Sequence, residues 1–147
     1  MSIPPAGRIL AVDWGERRIG LALSDETQTI ASPLGTIIRR AGKRFRMPEF
    51  LAHVTTHRPV GLVVGLPLTP EGGDGPAAVA ARELALQLGA RTYLPVVLVD
   101  ERMTTARAHA AIREQDGSTR GRREEVDALA ATILLQHYLE TRRNARS

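Results

Sequence analysis

Residues 8–24 read RILAVDWGERRIGLALS, two apolar runs separated by a short polar turn. The runs Arg8–Trp14 and Arg18–Ser24 have the composition of β-strands, and Gly15 marks a tight turn between them. A third apolar run, Thr29–Ile38, follows after another short connection. Three strands joined by short turns predict an antiparallel meander at the start of the fold.

The rest of the chain alternates helical and strand patterns, so the predicted element order is βββαβαβαα. Such alternation implies right-handed crossovers and a parallel continuation of the sheet. We therefore predict an α/β fold in one domain, residues 1–147: a mixed five-stranded sheet, an antiparallel meander continued by parallel strands, with helices on both faces. The elements expected after the meander are a helix at about Pro48–Thr56, a strand at Gly61–Gly65, a helix from Pro76 to about Leu88 ending at Gly89, a strand at Pro95–Glu101, a helix from Thr104 or Thr105 to about Glu114, and a helix at Arg122–Thr141.

Composition limits the classes of protein that fit. The chain has 147 residues, no cysteine and a formal net charge of +4, and of its 20 basic residues only Lys43 is a lysine. Without cysteine, disulfides and thiolate-bound zinc are excluded. The first apolar run is too short for a signal peptide or a membrane span, so we expect a cytoplasmic protein without a membrane partner. Arginine binds phosphate bidentately, which favours nucleic acid as the partner.

Acidic residues stand in three separate contexts that suggest one site. Asp13 ends the first strand, the pair Asp100-Glu101 ends the fifth, and Asp127 interrupts the apolar face of the last helix. Carboxylates from two strand ends and a helix form an oxygen-only pocket of the kind that Mg²⁺ or Mn²⁺ selects. Two such ions about 3.5–4 Å apart promote in-line displacement at a phosphodiester. The pattern points to a nuclease.

Strand alternation and the packing of the last helix limit how these acids can come together. In strand alternation Asp100 and Glu101 face opposite sides of the sheet, so only one of them joins Asp13 and the other makes a structural contact. The last helix has small residues, Ala130 and Ala131, on the flank that carries Asp127, which lets it lie close to the sheet. Its expected core stripe is Val126, Leu129, Ile133 and Leu134.

Four segments of the chain resemble the signature segments of one family. They are Val12–Ala22, Val64–Leu68, Asp100–Thr105 and Val126–Gln136, and the likeness extends from about Arg8 to Leu139. The family is YqgF, also called RuvX, an RNase H-like group of Holliday junction resolvases and nucleases that mature the 5′ end of 16S rRNA. The resemblance implies an RNase H-like fold, with Asp13, Glu101 and Asp127 as catalytic residues and as ligands of Mg²⁺ or Mn²⁺.

Other residues are candidates for substrate contact. Arg17, Arg18 and Arg102 lie beside the proposed metal site and could position the nucleic acid backbone, although Arg17 and Arg18 could equally be strand-edge charges. Gly72 and Gly73 could offer backbone N–H groups to phosphate, and a plain strand-to-helix connection is the alternative. The segment Arg39–Arg46 is either a phosphate track or a solvated face. The remaining substrate-binding candidates are Thr104, Thr105, Arg122 and Arg123.

The content of aromatic residues is only 3 %, which argues against base-stacking platforms of the single-strand-binding type. We expect recognition by backbone shape and charge, which suits structured RNA or branched DNA. The leading hypothesis is a two-metal nuclease acting on the 5′ end of the 16S rRNA precursor, with a Holliday junction resolvase as the alternative. An actin-like ATPase would need a second domain, and a non-catalytic RNA-binding factor would not need the carboxylates. The oligomeric state stays open, a homodimer being one option.

Overall fold

A computed structural model describes residues 2–15, 17–39, 45–103 and 123–146, with side chains described except at 103, 123–127 and 146. The helix expected from Thr104 or Thr105 to Glu114 lies outside these residues. Five strands and three α-helices are present in the described part. They are β1 (Ile9–Asp13), β2 (Arg18–Ser24), β3 (Ala31–Ile38), α1 (Met47–His57), β4 (Gly61–Leu66), α2 (Pro76–Thr92), β5 (Val96–Asp100) and α3 (Arg123–Arg146), with a 3₁₀ turn at Glu101–Met103 after β5.

The five strands form one mixed sheet in the order β3-β2-β1-β4-β5. β1 pairs antiparallel with β2, and β2 pairs antiparallel with β3, which is the predicted meander. β1 also pairs parallel with β4, and β4 with β5, so the crossovers continue the sheet as expected. The predicted architecture is confirmed, and the parallel strands β1, β4 and β5 all end on the same edge of the sheet.

Helices cover both faces of the sheet. Alternate residues such as Leu10 and Val12 pack against α1 and α2, and we call this side the α1/α2 face. The intervening residues, such as Ala11 and Val63, pack against α3 on the α3 face. Burial on both faces explains why β1 and β4 are continuous apolar runs and do not alternate with polar residues.

The boundary predicted at Gly89 was wrong, since α2 continues one turn further to Thr92. Tyr93 closes the helix in the left-handed conformation, and its N–H donates to the Gly89 carbonyl over 2.9 Å. A Cβ built on Gly89 would lie 3.4 Å from Cγ2 of Val96 at the start of β5. Gly89 therefore lies inside the helix, near the start of β5, and does not end the helix.

The expected core stripe of the last helix was partly wrong. Leu129 is 39 % exposed and Ile133 is half-buried, while the buried positions of α3 are those with small or leucine side chains: Ala128, Ala130, Ala131, Leu134, Leu135 and Leu139. The buried face of α3 differs from the expected stripe because its alanines pack against the sheet. None of the helices in the described part of the chain combines the length and apolar character that crossing a membrane requires.

Candidate active site

Asp13 is the last residue of β1, and its side chain is fully buried. It pairs in register with Gly20 of β2. Since side chains alternate along a strand, Asp13 shares a face with Ile9 and Ala11, both of which pack in the α3 cluster. The carboxylate is therefore on the α3 face, at the edge where the parallel strands end.

Glu101 is the first residue after β5 and is only 2 % exposed. Its carboxylate lies over Gly65 of β4, because a Cβ built on Gly65 would be 2.5 Å from Oε1 of Glu101 and 3.0 Å from Cδ2 of Leu134. Leu134 belongs to α3, so Glu101 lies on the α3 face, the face of Asp13. The missing side chain at Gly65 makes the space that the carboxylate occupies.

Asp100 has a different environment from its neighbour. It accepts hydrogen bonds from the backbone N–H of Arg102 over 2.9 Å and from the Arg102 guanidinium over 2.8–3.1 Å. The hydrogen bond to Asp100 raises the pKa of Arg102 above its ordinary value. Arg102 also donates to the Pro70 carbonyl over 3.3 Å. The sequence analysis expected one of the two adjacent acids to make a structural contact, and Asp100 makes it. The contact ties β5 to the loop after β4.

That loop is held by its own hydrogen bonds. The N–H groups of Gly72 and Gly73 donate to the carbonyl and hydroxyl of Thr69 over 2.8 and 2.9 Å. Gly72 has a φ of +89°, and a Cβ there would lie 3.2 Å from Nη1 of Arg102. A phosphate could use these N–H groups only after the bonds to Thr69 open, so the substrate-binding role of Gly72 and Gly73 stays a prediction.

Helix α3 is fixed at the opposite edge of the sheet. Gln136 accepts from the N–H of Ala31 over 2.9 Å and donates to the Thr29 carbonyl over 3.0 Å, while Arg142 donates to the Ile3 carbonyl. The helix thus runs from the edge that carries Asp13 toward the edge where β1 begins. Its sheet-facing residues Ala130, Ala131 and Leu134 are three, four and seven positions after Asp127.

Helical spacing therefore puts position 127 on the face of α3 that packs against the sheet, on the side of the two buried carboxylates. The Asp127 side chain is not among the described side chains. Across the described residues no three His, Asp or Glu side chains gather as a metal-ligand group.

The donor set suits a hard divalent cation. Asp13 and Glu101 supply only carboxylate oxygens, and both are buried on one face of the sheet. Removing a carboxylate from water costs free energy, and an opposite charge bound nearby offsets that cost. Mg²⁺ and Mn²⁺ prefer these ligands.

The predicted substrate-binding residues are only partly described. Arg17 is exposed next to the turn after β1, and Arg18 is half-buried at the start of β2. Arg123 begins α3 and only its backbone is described. Thr104, Thr105 and Arg122 lie outside the described residues. Contact of all these residues with substrate stays a prediction.

Two positioning residues escaped the sequence analysis. Gly65 stands inside a fully buried strand, and a glycine in a strand interior is a known mark of close approach by another group. Gln136 is a polar residue inside a helix whose neighbours Leu134 and Leu135 are buried, and this pattern indicates a specific hydrogen-bond partner. Both signals are present in the sequence, but neither identifies the group that Gly65 or Gln136 contacts.

Two of the solved structures that resemble this fold are Holliday junction resolvases. RuvC of Thermus thermophilus in complex with a Holliday junction substrate matches 93 % of this chain and 96 % of its own, with a TM-score of 0.57 and 14 % identity. The yeast mitochondrial resolvase Ydc2 matches 97 % of this chain and 84 % of its own, with a TM-score of 0.51 and 13 % identity. These likenesses establish the RNase H-like fold.

Residues 7–141 match the family model described as RuvX: Holliday junction resolvase. The chain belongs to the RuvX family. Two relatives carry the name "Putative pre-16S rRNA nuclease": one from Roseiflexus sp. (strain RS-1) is 40 % identical over 97 % of this chain and 100 % of its own length. The other, from Nocardioides sp. (strain ATCC BAA-499 / JS614), is 43 % identical over 94 % of this chain and 90 % of its own. The family suggested by the sequence motifs is confirmed.

Proposed function

We propose that this chain is a divalent-metal-dependent nuclease that hydrolyses phosphodiester bonds at the 5′ end of the 16S rRNA precursor. The observation that carries the proposal is the burial of Asp13 and Glu101 on one face of the sheet, at the edge where the parallel strands end. The names of the curated relatives supply the substrate class. A binding factor without catalysis would have no need of this buried acidic pair.

The residues have distinct roles in the proposed mechanism. Asp13 and Glu101, with Asp127 from α3, would hold Mg²⁺ or Mn²⁺ in a site of the two-metal-ion type. When bound, the cations supply Lewis acidity that activates water and stabilises the charge developing on the phosphate. Gly65 leaves room for the Glu101 carboxylate, and the contact of Asp100 with Arg102 fixes the turn that follows β5. Arg17 and Arg18 would position the nucleic acid backbone beside the site.

The second candidate substrate is branched DNA, because the family description names the Holliday junction. Both substrates need the same hydrolysis and the same carboxylates, so only the nucleic acid distinguishes them. A-form RNA and four-way DNA junctions are both recognised largely by shape, which suits the few aromatic residues of this chain.

Parallel digestion tests the proposal and separates the two substrates. A 5′ leader of the 16S rRNA precursor, a four-way DNA junction and linear duplexes are incubated with the protein in Mg²⁺, Mn²⁺, Ca²⁺ or EDTA. We expect cleavage of the leader RNA with Mg²⁺ or Mn²⁺ and none with Ca²⁺, whose coordination is longer and looser. Faster cleavage of the junction would favour the resolvase, and full activity in excess EDTA would refute a metal-dependent nuclease.

A further inference from the structure

A second concave site lies on the α1/α2 face of the sheet. It is a cavity of about 580 Å³ between α2, the start of α1 and the segments that follow β1 and β3. Ligand pockets commonly measure about 300–1,000 Å³, so this volume suits a small organic group. The carboxylates of the proposed metal site lie on the other face, and the mechanism above makes no use of this cavity.

The floor of the cavity is apolar and partly aromatic. Trp14, Phe45 and Met47 line it and are half-buried against the core. The Phe45 ring is fixed by the buried Phe50 ring, with centroids 5.8 Å apart and planes inclined at 55°. Leu84 of α2 completes the apolar surface. Apolar and aromatic lining of this kind suits a ring as ligand.

The rim of the cavity is polar and carries both charge signs. Arg39 lies with its guanidinium carbon 4.6 Å from the centroid of the Trp14 ring. Glu83, Gln87 and Arg91 line the opposite side, four residues apart along one face of α2, and all three are exposed. Amide and carboxylate groups can bond the edge of a nucleobase, and two arginines can bind its phosphate. Aromatic rings and guanidinium groups are the surfaces on which unpaired bases stack.

The position of Trp14 in the chain links the cavity to the proposed metal site. Asp13 and Trp14 are consecutive, and the first belongs to the α3 face while the second packs on the α1/α2 face. One peptide bond thus joins the two sites across the edge of the sheet. A nucleic acid strand passing over this edge would meet both.

We propose that this cavity binds one unpaired nucleotide adjacent to the phosphodiester that is cleaved. The position of the nucleotide next to the cleaved bond rests on the proposed nuclease function, whereas binding of a nucleotide in the cavity does not. The cavity selects a substrate in which a base can leave its helix, and so favours a flap, bulge or single-stranded end over a continuous duplex. A single cavity accommodates one base, so this contact adds base stacking at one position to the recognition by backbone shape and charge that the low aromatic content predicts.

Trp14 is the chain's only tryptophan, so its fluorescence reports on this cavity directly. The protein in EDTA is titrated with 5′-AMP, with adenosine and with ribose 5-phosphate. We expect 5′-AMP to change the emission saturably, adenosine to do so more weakly, and ribose 5-phosphate to have no effect. No saturable change with 5′-AMP would overturn the proposal.

Two alanines of α2 provide matched variants. Ala80 lines the cavity, whereas Ala90 is exposed on the same helix and does not. Ala80→Met should fill the cavity and weaken 5′-AMP binding about tenfold or more, and Ala90→Met should bind as the wild type does. Equal binding by both variants would contradict the assignment of the cavity. If Ala80→Met does not fold, Arg91→Ser replaces it, and we expect weaker binding of 5′-AMP with little change for adenosine.

Cleavage of modified RNA separates failure of this inference from failure of the proposed function. An abasic nucleotide is placed on either side of the cleavage position mapped for the wild type. On the side whose base enters the cavity, the abasic nucleotide should slow cleavage by the wild type about tenfold. Ala80→Met should cleave abasic and intact RNA equally slowly. Saturable fluorescence without any cleavage would refute only the nuclease. Cleavage that is indifferent to both abasic sites would refute the adjacency of the cavity to the cleaved bond.

Discussion

The two edges of the sheet use carboxylates in opposite ways. At the hairpin edge, where β2 turns into β3, Asp25 accepts hydrogen bonds from the Thr27 hydroxyl over 2.6 Å and from the N–H groups of Thr29 and Ile30 over 2.8 and 3.0 Å. At the carboxylate edge, where β1, β4 and β5 end, Asp13 and Glu101 are buried on one face, above a glycine that leaves room for Glu101.

This difference separates an acid that organises a turn from acids proposed to hold a metal ion. The hydrogen bonds of Ile30, Thr27 and Thr29 hold the pKa of Asp25 at about 2, so this half-exposed carboxylate stays charged and stabilises the turn. Burial of Asp13 and Glu101 removes their carboxylates from water, and such desolvation disfavours the folded state. Such a cost is typical of a functional site.

The largest expected effect is the loss of cleavage when an acid of the carboxylate edge is neutralised. Asp13→Asn, Glu101→Gln and Asp127→Asn should each lower the cleavage rate more than about 100-fold. Even the loss of a residue that only hydrogen-bonds to a metal ligand typically lowers activity about 10–100-fold. Pairs of these changes should be scarcely worse than single ones, because ligands of one site act as a unit. The measurement is the single-turnover rate in Mg²⁺.

Exposed Glu140 of α3 provides the matched control for these variants. Glu140→Gln should cleave as the wild type does. Substrate binding by Asp127→Asn should persist or tighten, because a negative charge near the phosphate is removed. Near-normal turnover of Asp127→Asn over a range of Mg²⁺ concentrations would contradict the three-carboxylate site.

The next effect concerns the glycine beneath Glu101. Gly65→Ala would place a methyl group 2.5 Å from Oε1 of Glu101, so the carboxylate must move. We expect about a 100-fold fall in cleavage, the cost associated with displacing a reacting group by about 1 Å. Gly35→Ala in β3 is the control, since a Cβ there meets nothing within 4 Å. Equal activity of the two variants would show that the position of Glu101 does not matter.

A smaller effect is expected at the contact behind the carboxylate edge. Arg102→Gln removes the guanidinium that joins Asp100 to the Pro70 carbonyl, which loosens the turn beginning at Glu101. We expect about a tenfold fall in cleavage, with a higher Mg²⁺ concentration needed for half-maximal rate, as for the loss of an outer-shell partner. Arg82→Gln, which breaks the exposed ion pair with Asp74, is the control. If Arg102→Gln weakens RNA binding but leaves the Mg²⁺ dependence unchanged, Arg102 contacts substrate directly.

The smallest effect belongs to the hairpin edge and changes stability, not cleavage. Because the pKa of Asp25 is lowered from 3.8 to about 2 in the folded protein, its stabilising contribution is present above pH 4 and is lost as pH falls toward 2. Thermal unfolding between pH 5 and pH 2 should therefore depend less on pH in Asp25→Asn than in the wild type. Identical pH dependence of the two melting temperatures would contradict this role, and cleavage near pH 7 should be unchanged.

The strand pattern of the sequence predicted the architecture, because buried strands and short turns carry strong local signals. β2 has the predicted bounds, and β4 exceeds its prediction by one residue. The end of α2 was missed because glycine is a common helix terminator, whereas the left-handed residue that closes this helix is Tyr93, a residue type that gives no such signal. The exposure of Leu129 was missed because the alanines of α3 face the sheet, and alanine contributes little to a hydrophobic pattern.

For the candidate site, strand alternation predicted that Asp100 and Glu101 face opposite ways, and their contacts agree. The same rule could not say which of the two shares a face with Asp13, because that depends on the register of β5 with β4 and of β4 with β1, which the pattern within one strand does not give. Gly65 resolves this question, since its missing side chain receives Glu101 on the α3 face.

Binding of Mn²⁺ to the metal-free protein, followed by electron paramagnetic resonance of the free ion, tests the central claim most directly. The titration compares the wild type with Glu101→Gln and Asp100→Asn, adjacent acids on opposite faces of the sheet, and it needs no choice of substrate. We predict that Glu101→Gln binds Mn²⁺ at least about tenfold more weakly than the wild type, and that Asp100→Asn, which only weakens the contact with Arg102, loses clearly less affinity than Glu101→Gln. Unchanged Mn²⁺ affinity in Glu101→Gln, or its loss in Asp100→Asn alone, would contradict a metal site built on the α3 face.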